Sequence, residues 1–312
     1  MTSLSASVSS MEVVGIGAAT LDDLWLVPEF SAQECVSQAV QHIQMGGGPV
    51  ATALCVLGCL GRSTGLIDCV GDDASGHAIV EGLLSNGVSA EGLHTIPGAR
   101  SASAVILVRQ QDGARQIHYL PSTAGDLKLD SAHLQLIQKA RLLHINGRHE
   151  DAAREAIQAA KAKGVLVSFD GGAGRYRDSI RDLVLQSEVR ILSREFASRF
   201  CGCDDLDHLF KELLTPPAQV LVITDGIDGS HVALPGGHRF HQPAYSAATL
   251  VDTTGCGDVY HGAFLHGWLE GWSAEQCADF ASRIAAQNAE GLGGRWVCPS
   301  LLDHARQGLA DR

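Results

Sequence analysis

The sequence predicts an α/β fold: a mostly parallel sheet covered by helices on both faces, with a small β-sheet lid. Short β-branched runs alternate with helical stretches, and many of the 35 glycines separate them. Such alternation is typical of a three-layer α/β/α core. One stretch that resembles a hairpin does not fit the alternation, and it predicts the lid.

Six short apolar runs are the predicted strands of the sheet, because each is rich in β-branched residues and lies between turn signals. They are 13–16, 66–70, 142–145, 165–169, 189–192 and 220–224. The predicted helices include 50–60, 78–84 and 151–161. No linker or repeat divides the chain, so we expect one domain over 11–312. The Ser-rich residues 1–10 predict a disordered tail.

Two stretches break the alternation. The β-rich runs 104–108 and 116–120 flank Asp112-Gly113, and Asp-Gly between such runs is a strong hairpin signal. Residues 25–44 follow the first strand without a helical period. We therefore expect a lid built from about 23–46 and 101–121.

Charge and composition restrict the class of function. The chain has 35 acidic and 23 basic residues, a net charge of -12, which argues against non-specific binding to nucleic acid. No apolar run approaches the ~18 residues that a membrane span requires. The nine cysteines are scattered, as expected of reduced thiols. The sequence predicts a cytoplasmic protein with no nucleic-acid or membrane partner.

The strongest local signal is the segment 251–264. Gly255 and Gly257 form a bare turn, and a helical run follows from Asp258. Unpaired N–H groups and the helix dipole make such a turn an anion site. Asp258 could take a proton from a hydroxyl that attacks a phosphoryl group held there. The alternative is that Asp258 only caps the helix, and local chemistry alone leaves the two hypotheses balanced.

Other phosphate-binding motifs are absent from the sequence. There is no Gly-x4-Gly-Lys-Ser/Thr loop, and Gly15-Ile16-Gly17 lacks the third glycine of the dinucleotide fingerprint. This argues against a nucleotide-dependent dehydrogenase. Gly46-Gly47-Gly48 before Pro49 predicts either a close approach of backbone to ligand or a hinge to the lid.

Three segments together resemble the ribokinase-like PfkB family of carbohydrate kinases. Residues 252–258 with Gly262 are similar to its C-terminal signature, with Cys256 where alanine is usual. Residues 47–61 are similar to its N-terminal signature, and 71–76 to the segment that follows. The resemblance covers about 13–299 and implies a Rossmann-like core with a lid that closes over a sugar.

The resemblance also implies roles for individual residues. Asp258 would be the catalytic base, and Gly255, Cys256 and Gly257 would form an anion hole through backbone N–H groups. The substrate side would comprise Asp22, Gly47, Gly48 and Thr52, where Thr52 replaces a common asparagine. The nucleotide side would comprise Thr224, Gly226, Gly229, Thr254, Gly257 and Asn288. ATP and Mg²⁺ are implied, and K⁺ near Asp252 is a further expectation.

One departure concerns the metal. The family often has Asn-x-x-Glu after a middle strand, whereas this chain has Ser193 and Phe196 at those two positions. Glu195 could substitute for the missing carboxylate, or it could be a solvated residue at a helix start.

The identity of the sugar depends on few residues. Residues 46–53 and 143–149 look closest to the fructose-type branch, which includes ketohexokinases and sulfofructose kinases. Arg148 could bind a phosphate or sulfonate, or could be a surface arginine paired with Glu150 or Asp151. Tyr119 stands where the sulfonate-binding branch tends to have an amide, which weakens that interpretation.

The predicted function is transfer of the ATP γ-phosphoryl group to a primary hydroxyl of a small sugar, a ketose or related hexose or pentose. A nucleoside kinase and a catalytically idle sugar-binding protein are the alternatives. We also expect a homodimer that forms through the lid.

Overall fold

The computed structural model describes residues 11–34 and 36–302, so the predicted tail at 1–10 lies outside the described residues. The strands are β1 Val13–Ile16, β2 Thr20–Val27, β3 Gln41–Gly47, β4 Thr64–Gly71, β5 Val88–Ser89, β6 Leu93–Ile96, β7 Ser103–Arg109, β8 Arg115–Leu120, β9 Leu142–Ile145, β10 Leu166–Gly171, β11 Val189–Ser193, β12 Val220–Thr224, β13 Ser230–Ala233 and β14 Arg239–Gln242. The α-helices are α1 Pro49–Cys59, α2 Ala74–Ser85, α3 Ser131–Lys139, α4 Glu150–Lys161, α5 Arg181–Leu185, α6 Arg194–Cys201, α7 Leu206–Leu213, α8 Cys256–Glu270 and α9 Ala274–Asn288.

The large sheet has the strand order β14-β13-β12-β11-β10-β9-β1-β4-β5, and β6 also pairs with β4. The strands from β12 through β4 run parallel, whereas β13 and β14 are antiparallel additions at one edge. Later strands are added on both sides of β1, which makes β1 the point where the strand order reverses. In open α/β sheets, ligands bind beyond the carboxyl ends of the strands at such a point.

Apolar side chains of successive strand residues pack on opposite faces of this sheet. Val13 and Leu142 belong to a core with α1, α8 and α9, whereas Val14 and Leu143 belong to a second core under α3 to α7. Period-2 alternation in a strand buried on both faces explains why these runs are continuously apolar. The predicted three-layer α/β/α class is confirmed.

The small sheet has the order β3-β2-β7-β8. Its inner face carries Leu24, Ile106 and Val108, which form a third core with Leu292. The pairing of β7 with β8 is the hairpin that the sequence predicts, and Gly113 in its turn has a φ of 64°. Strand β2 begins at Thr20, so Asp22 lies within the small sheet.

No helix in the described part of the chain is both long and apolar enough to cross a membrane.

Candidate active site

A cleft of about 1230 Å³ lies between the carboxyl edge of the large sheet and the inner face of the small sheet. Its walls include residues that follow β1, β9, β10, β11 and β12, together with the start of α8. Of the predicted site residues, those on its walls are Asp22, Gly48, Arg148, Thr224, Thr254, Gly255, Gly257 and Asp258. One cleft therefore collects residues from both the predicted substrate side and the predicted nucleotide side.

The turn before α8 lies very close to a neighbouring backbone segment. Gly255 is the N-cap with a φ of 71°, and a Cβ there would lie 2.5 Å from the Cα of Gly294. No side chain caps α8, and although the Cys256 amide donates to the carbonyl of Thr253 at 3.4 Å, the amides of Gly257 and Asp258 bind no described residue and remain available to an anion. Cys256 does not contribute its side chain to the cleft wall; burial raises the pKa of its thiol to about 11, which leaves it neutral.

Asn288 supports this turn from behind. Its side chain is fully buried, donates to the carbonyls of Thr254 (3.3 Å) and Gly293 (3.4 Å), and accepts from the amide of Val297 (3.1 Å). It is absent from the cleft wall among the described residues. The structure therefore corrects the prediction that Asn288 lines a nucleotide pocket, because all its polar atoms already bind protein.

Asp258 lies in the first turn of α8, with its side chain 19% exposed at the cleft. Burial raises its pKa to about 6; Arg175 opposes this rise, and the charge of Asp170 adds to it. The guanidinium of Arg175 lies 3.6 Å from Asp258 Oδ1 and 3.0 Å from Asp170 Oδ2. A carboxylate with a pKa near neutrality is suited to accept a proton.

Two histidines pack beneath this pair of carboxylates. His261, one turn after Asp258, places Nε2 3.5 Å from Asp170 Oδ1, and burial lowers its pKa. His144 on β9 stacks 5.8 Å from the His261 ring, and burial lowers its pKa to about 3. Both rings are therefore neutral at pH 7. Burial alone would raise the pKa of Asp170, but the charge of His261, where acid pH protonates that ring, and the charge of Arg175 hold it below its ordinary value.

On the other side of the cleft, the carboxylate of Asp22 is buried on strand β2 of the small sheet. Thr20 Oγ1 donates to its Oδ1 at 2.6 Å, and burial raises its pKa. A Cβ on Gly47 would lie 2.0 Å from Asp22 Oδ2, and one on Gly48 would lie 2.0 Å from the carbonyl of Ala18. A side chain at either position would collide with these atoms, so both positions require glycine. Gly47 itself does not reach the cleft wall.

Thr52 is buried behind this region and does not line the cleft. Its hydroxyl accepts from Arg295 Nε at 3.3 Å, and Arg295 also donates to the carbonyl of Gly47 at 2.9 Å. This corrects the prediction of a direct substrate contact: Thr52 orients a buried arginine that holds the glycine segment.

Arg148 lies in the cleft wall just after β9. Its Nε is shielded from solvent and has no hydrogen-bond partner among the described residues. The predicted alternative pairings are not formed, because Glu150 bonds to Arg177 (3.1 Å) and Asp151 to Arg154 (3.3 Å). The structure thus leaves this cation in the wall without an anionic partner among the residues 11–34 and 36–302.

The predicted nucleotide residues are only partly brought together. Thr224 and Thr254 line the cleft, and Thr254 Oγ1 is buried without a partner among the described residues. Gly226 and Gly229 lie in the short turn beyond β12, outside the cleft wall. An orphaned hydroxyl beside the uncapped α8 N-terminus fits a ligand that carries phosphate oxygens.

The presence of Ser193 and Phe196 in place of the family's Asn-x-x-Glu has a structural reason. Phe196 is fully buried in the core, and Ser193 caps α6 by accepting from the Phe196 amide at 3.1 Å. Glu195 accepts from the amide of Gly174 at 2.7 Å and is absent from the cleft wall, so it does not replace the missing carboxylate. Asp170 lines the cleft instead, and its Oδ1 makes no hydrogen bond to a described residue.

The cleft residues that sequence reasoning missed include Arg115, Asp170, Arg175 and His261. Arg115 on β8 binds the hydroxyl of Thr253 and thereby connects the lid to the α8 turn. Asp170 ends a predicted strand and Arg175 follows a glycine-rich turn, so a search for charged residues at strand ends would have found these two.

Comparison with known proteins identifies the family. The model for the pfkB family of carbohydrate kinases matches residues 10–298. The chain belongs to this family, whose members are phosphotransferases, and the family implies the use of ATP and a sugar substrate.

Similar curated proteins include probable fructokinase-5 of Arabidopsis thaliana, 28% identical over 81% of each chain. An ATP-dependent ribose-1-phosphate kinase of Halopiger xanaduensis is 27% identical over 81% of this chain and 83% of its own. Among solved structures, ribokinase from Giardia lamblia aligns with a TM-score of 0.82 at 20% identity, covering 97% of this chain and 100% of its own. An E. coli protein solved with ATP and Mg²⁺ aligns with a TM-score of 0.80 at 20% identity over 96% and 99%. These likenesses confirm a ribokinase-like fold.

We predict that the pH dependence of kcat/KM has an acidic limb near pH 6, because Asp258 with a pKa of about 6 must be ionised to accept a proton. Arg175→Gln removes the cation that favours the ionised form, so the limb should move to higher pH by roughly one unit or more. Arg283→Gln, which breaks an exposed pair with Asp279, is the control. A limb that stays in place or moves to lower pH in Arg175→Gln would contradict this role.

Proposed function

We propose that this protein transfers the γ-phosphoryl group of ATP to a primary hydroxyl of a small sugar, a ketose or related hexose or pentose. Asp258 carries the proposal, because it is a cleft carboxylate with a raised pKa at the mouth of an uncapped helix N-terminus. The fructokinase relative supports a ketose acceptor.

Different residues of the chain have different roles in the transfer. Asp258 takes the proton of the attacking hydroxyl, and the first-turn N–H groups of α8 stabilise negative charge on the transferred group. Thr254 Oγ1 and Arg115 face the phosphates, while Asp22 binds sugar hydroxyls. The small sheet, about 23–46 and 101–121, acts as a lid that excludes water from the cleft.

The cleft also fits the cations that such chemistry uses. Mg²⁺ would supply neutralising charge beside the phosphates, and Asp170 could hold it through Oδ1, which lies 3.5 Å from His261 Nε2 but accepts no hydrogen bond from a described residue. Asp252 is fully buried and forms no ion pair within the described ranges, so a monovalent cation such as K⁺ could offset its charge. Equal rates with K⁺ and with a bulky organic cation would exclude that role.

Asp258→Asn tests the base directly. We expect kcat to fall by roughly 10²–10⁴-fold, because the amide cannot accept the proton, while ATP binding is retained. The folded-state pKa of Asp258, about 6, lies above that of an exposed aspartate, so at pH 7 its buried negative charge lowers the stability of the folded state. The neutral amide should therefore keep or raise Tm at pH 7.

The matched control for this variant is Asp279→Asn, which neutralises an exposed aspartate on α9. It should leave kcat unchanged. Turnover of Asp258→Asn close to that of the unmodified protein would refute the assignment of the base. A large fall in its Tm would refute the argument from burial.

A second candidate function is phosphorylation of a sugar that carries a negative charge, and Arg148 favours it. Arg148 follows β9, and β9 pairs with β1, the strand that precedes Asp22. The strand that carries Thr224 on the predicted nucleotide side, β12, is three strands from β9, about 14 Å at the usual strand spacing. Arg148 therefore lies on the acceptor side of the cleft. An arginine Nε without a partner is suited to a phosphate, sulfonate or carboxylate on the sugar, and one relative is named for a sugar phosphate.

A substrate panel tests the charge of the acceptor. Fructose and ribose are compared with fructose 6-phosphate, ribose 1-phosphate, sulfofructose and adenosine. If the acceptor is anionic, Arg148→Gln should raise KM for it by ~10-fold or more, because a charge-assisted hydrogen bond is lost, and Arg154→Gln should not. Preference for a neutral sugar with an unchanged KM in Arg148→Gln would exclude an anionic acceptor. Preference for adenosine would favour the nucleoside kinase alternative.

The outer face of the lid supports a homodimer. Trp25, Val105 and Leu120 share the face opposite the cleft, and they are 38%, 43% and 46% exposed. We expect sedimentation to show a dimer that Val105→Lys dissociates, because a buried unpaired charge opposes association. Ile227→Lys, at an exposed site away from the lid, should have no effect. A monomer at micromolar concentration would contradict the proposal.

A further inference from the structure

A cluster of three polar side chains lies outside the cleft. His94 on β6, Asp130 at the N-cap of α3 and His133 in the first turn of α3 bring one ligand atom each to within 4.8 Å of one another. The two imidazole rings are 4.4 Å apart between centroids. No step of the proposed kinase reaction uses these residues.

The carboxylate of Asp130 contacts both rings, with one oxygen near each. His133 Nδ1 is 3.3 Å from Oδ1, and His94 Nε2 is 3.4 Å from Oδ2. Tetrahedral zinc bonds of about 2.0–2.1 Å place neighbouring ligand atoms roughly 3.3 Å apart. The two separations between histidine and carboxylate are therefore close to those of a metal site, and all three ligand atoms lie within 4.8 Å of one another.

His133 is held in the form that a metal requires. Its Nε2 faces the carbonyl of Gly92 at 3.2 Å, which can only accept, so Nε2 carries the proton and Nδ1 carries the lone pair. Metal-binding histidines usually donate their second nitrogen to a carbonyl or carboxylate in this way. The ring is 2% exposed, and its position is fixed by packing.

The helix cap explains only part of this cluster. The amide of Asp130 donates to His133 Nδ1 at 3.2 Å, and the amide of His133 donates to Asp130 Oδ1 at 2.9 Å. In this cap the Nδ1 lone pair accepts the Asp130 amide, while Asp130 Oδ1, also an acceptor, lies 3.3 Å from Nδ1. The cap gives no reason for His94, which comes from another element. A cation on Nδ1 would replace the Asp130 amide as its partner and would remove the repulsion between Nδ1 and Oδ1.

We propose that His94, Asp130 and His133 bind a divalent transition-metal ion of the zinc class. Two imidazoles and one carboxylate suit Zn²⁺, Co²⁺ or Ni²⁺ better than Mg²⁺, which prefers oxygen ligands. His94 and Asp130 are half exposed and can adjust to the ion, while His133 is rigid. The ion would connect β6 to α3 and fix the loop that carries Asp126 and Leu127 into the cleft wall.

Metal binding is measured on the full chain after treatment with EDTA. Co²⁺ should give a visible absorption band that saturates at one equivalent, Zn²⁺ should displace it, and Zn²⁺ but not Mg²⁺ should raise Tm. His94→Gln and Asp130→Asn should each weaken binding by ~10-fold or more. Asparagine retains the helix cap, so the second variant removes the ligand charge and not the fold.

His238→Gln is the matched control, because His238 pairs with Glu275 at 2.6 Å without a third ligand in the described structure. It should bind Co²⁺ as the unmodified chain does. Absence of the absorption band, or equal affinity in His94→Gln and in the unmodified chain, would overturn the proposal. None of these measurements depends on kinase activity, so their outcome is independent of the proposed function.

Discussion

The buried carboxylate of Asp252 is the contact on which the rest of the site depends. Its two oxygens accept the amides of Thr254 at 2.7 Å and Gly293 at 2.8 Å, so one side chain joins the turn before α8 to a segment 40 residues away. Asn288 adds bonds to the same two segments. Donors stabilise developing charge best when they need no reorganisation. The rigidity of the α8 turn therefore comes from residues behind it, which do not line the cleft.

A balance of opposing charges acts on Asp258. Burial makes its carboxylate a stronger base by raising its pKa. Arg175 opposes the rise in pKa and Asp170 adds to it, and the guanidinium of Arg175 is shared between the two carboxylates. Each pKa unit corresponds to about 1.4 kcal/mol, so the balance between burial and this cation affects how much of the base is ionised near neutral pH.

The sequence predicts the elements and the loops better than it predicts the contacts. The parallel strands, the hairpin and the α8 turn follow from local patterns, and the structure contains all of them. Thr52 and Asn288 were assigned direct roles by resemblance, yet both lie behind the wall, whereas Asp22 lines the cleft from the small sheet. The contact of Arg115 with Thr253 and that of Arg175 with Asp258 join distant segments. Which segments meet is decided by the strand order, and no local pattern contains that information.

Phe196 stands where the family often has a glutamate, and this difference bears on both cation binding and the ionisation of the base. Phe196 packs against Phe169 and Tyr176 in the core, so its position cannot hold a carboxylate without burying a charge among aromatic rings. Asp170, on the strand beside β11, is a carboxylate that does line the cleft. Its Oδ2 binds Arg175, which also contacts Asp258 and opposes the rise in its pKa. A cation held by Asp170 would therefore share this carboxylate with Arg175. Cation binding and ionisation of the base would thus be linked through one arginine.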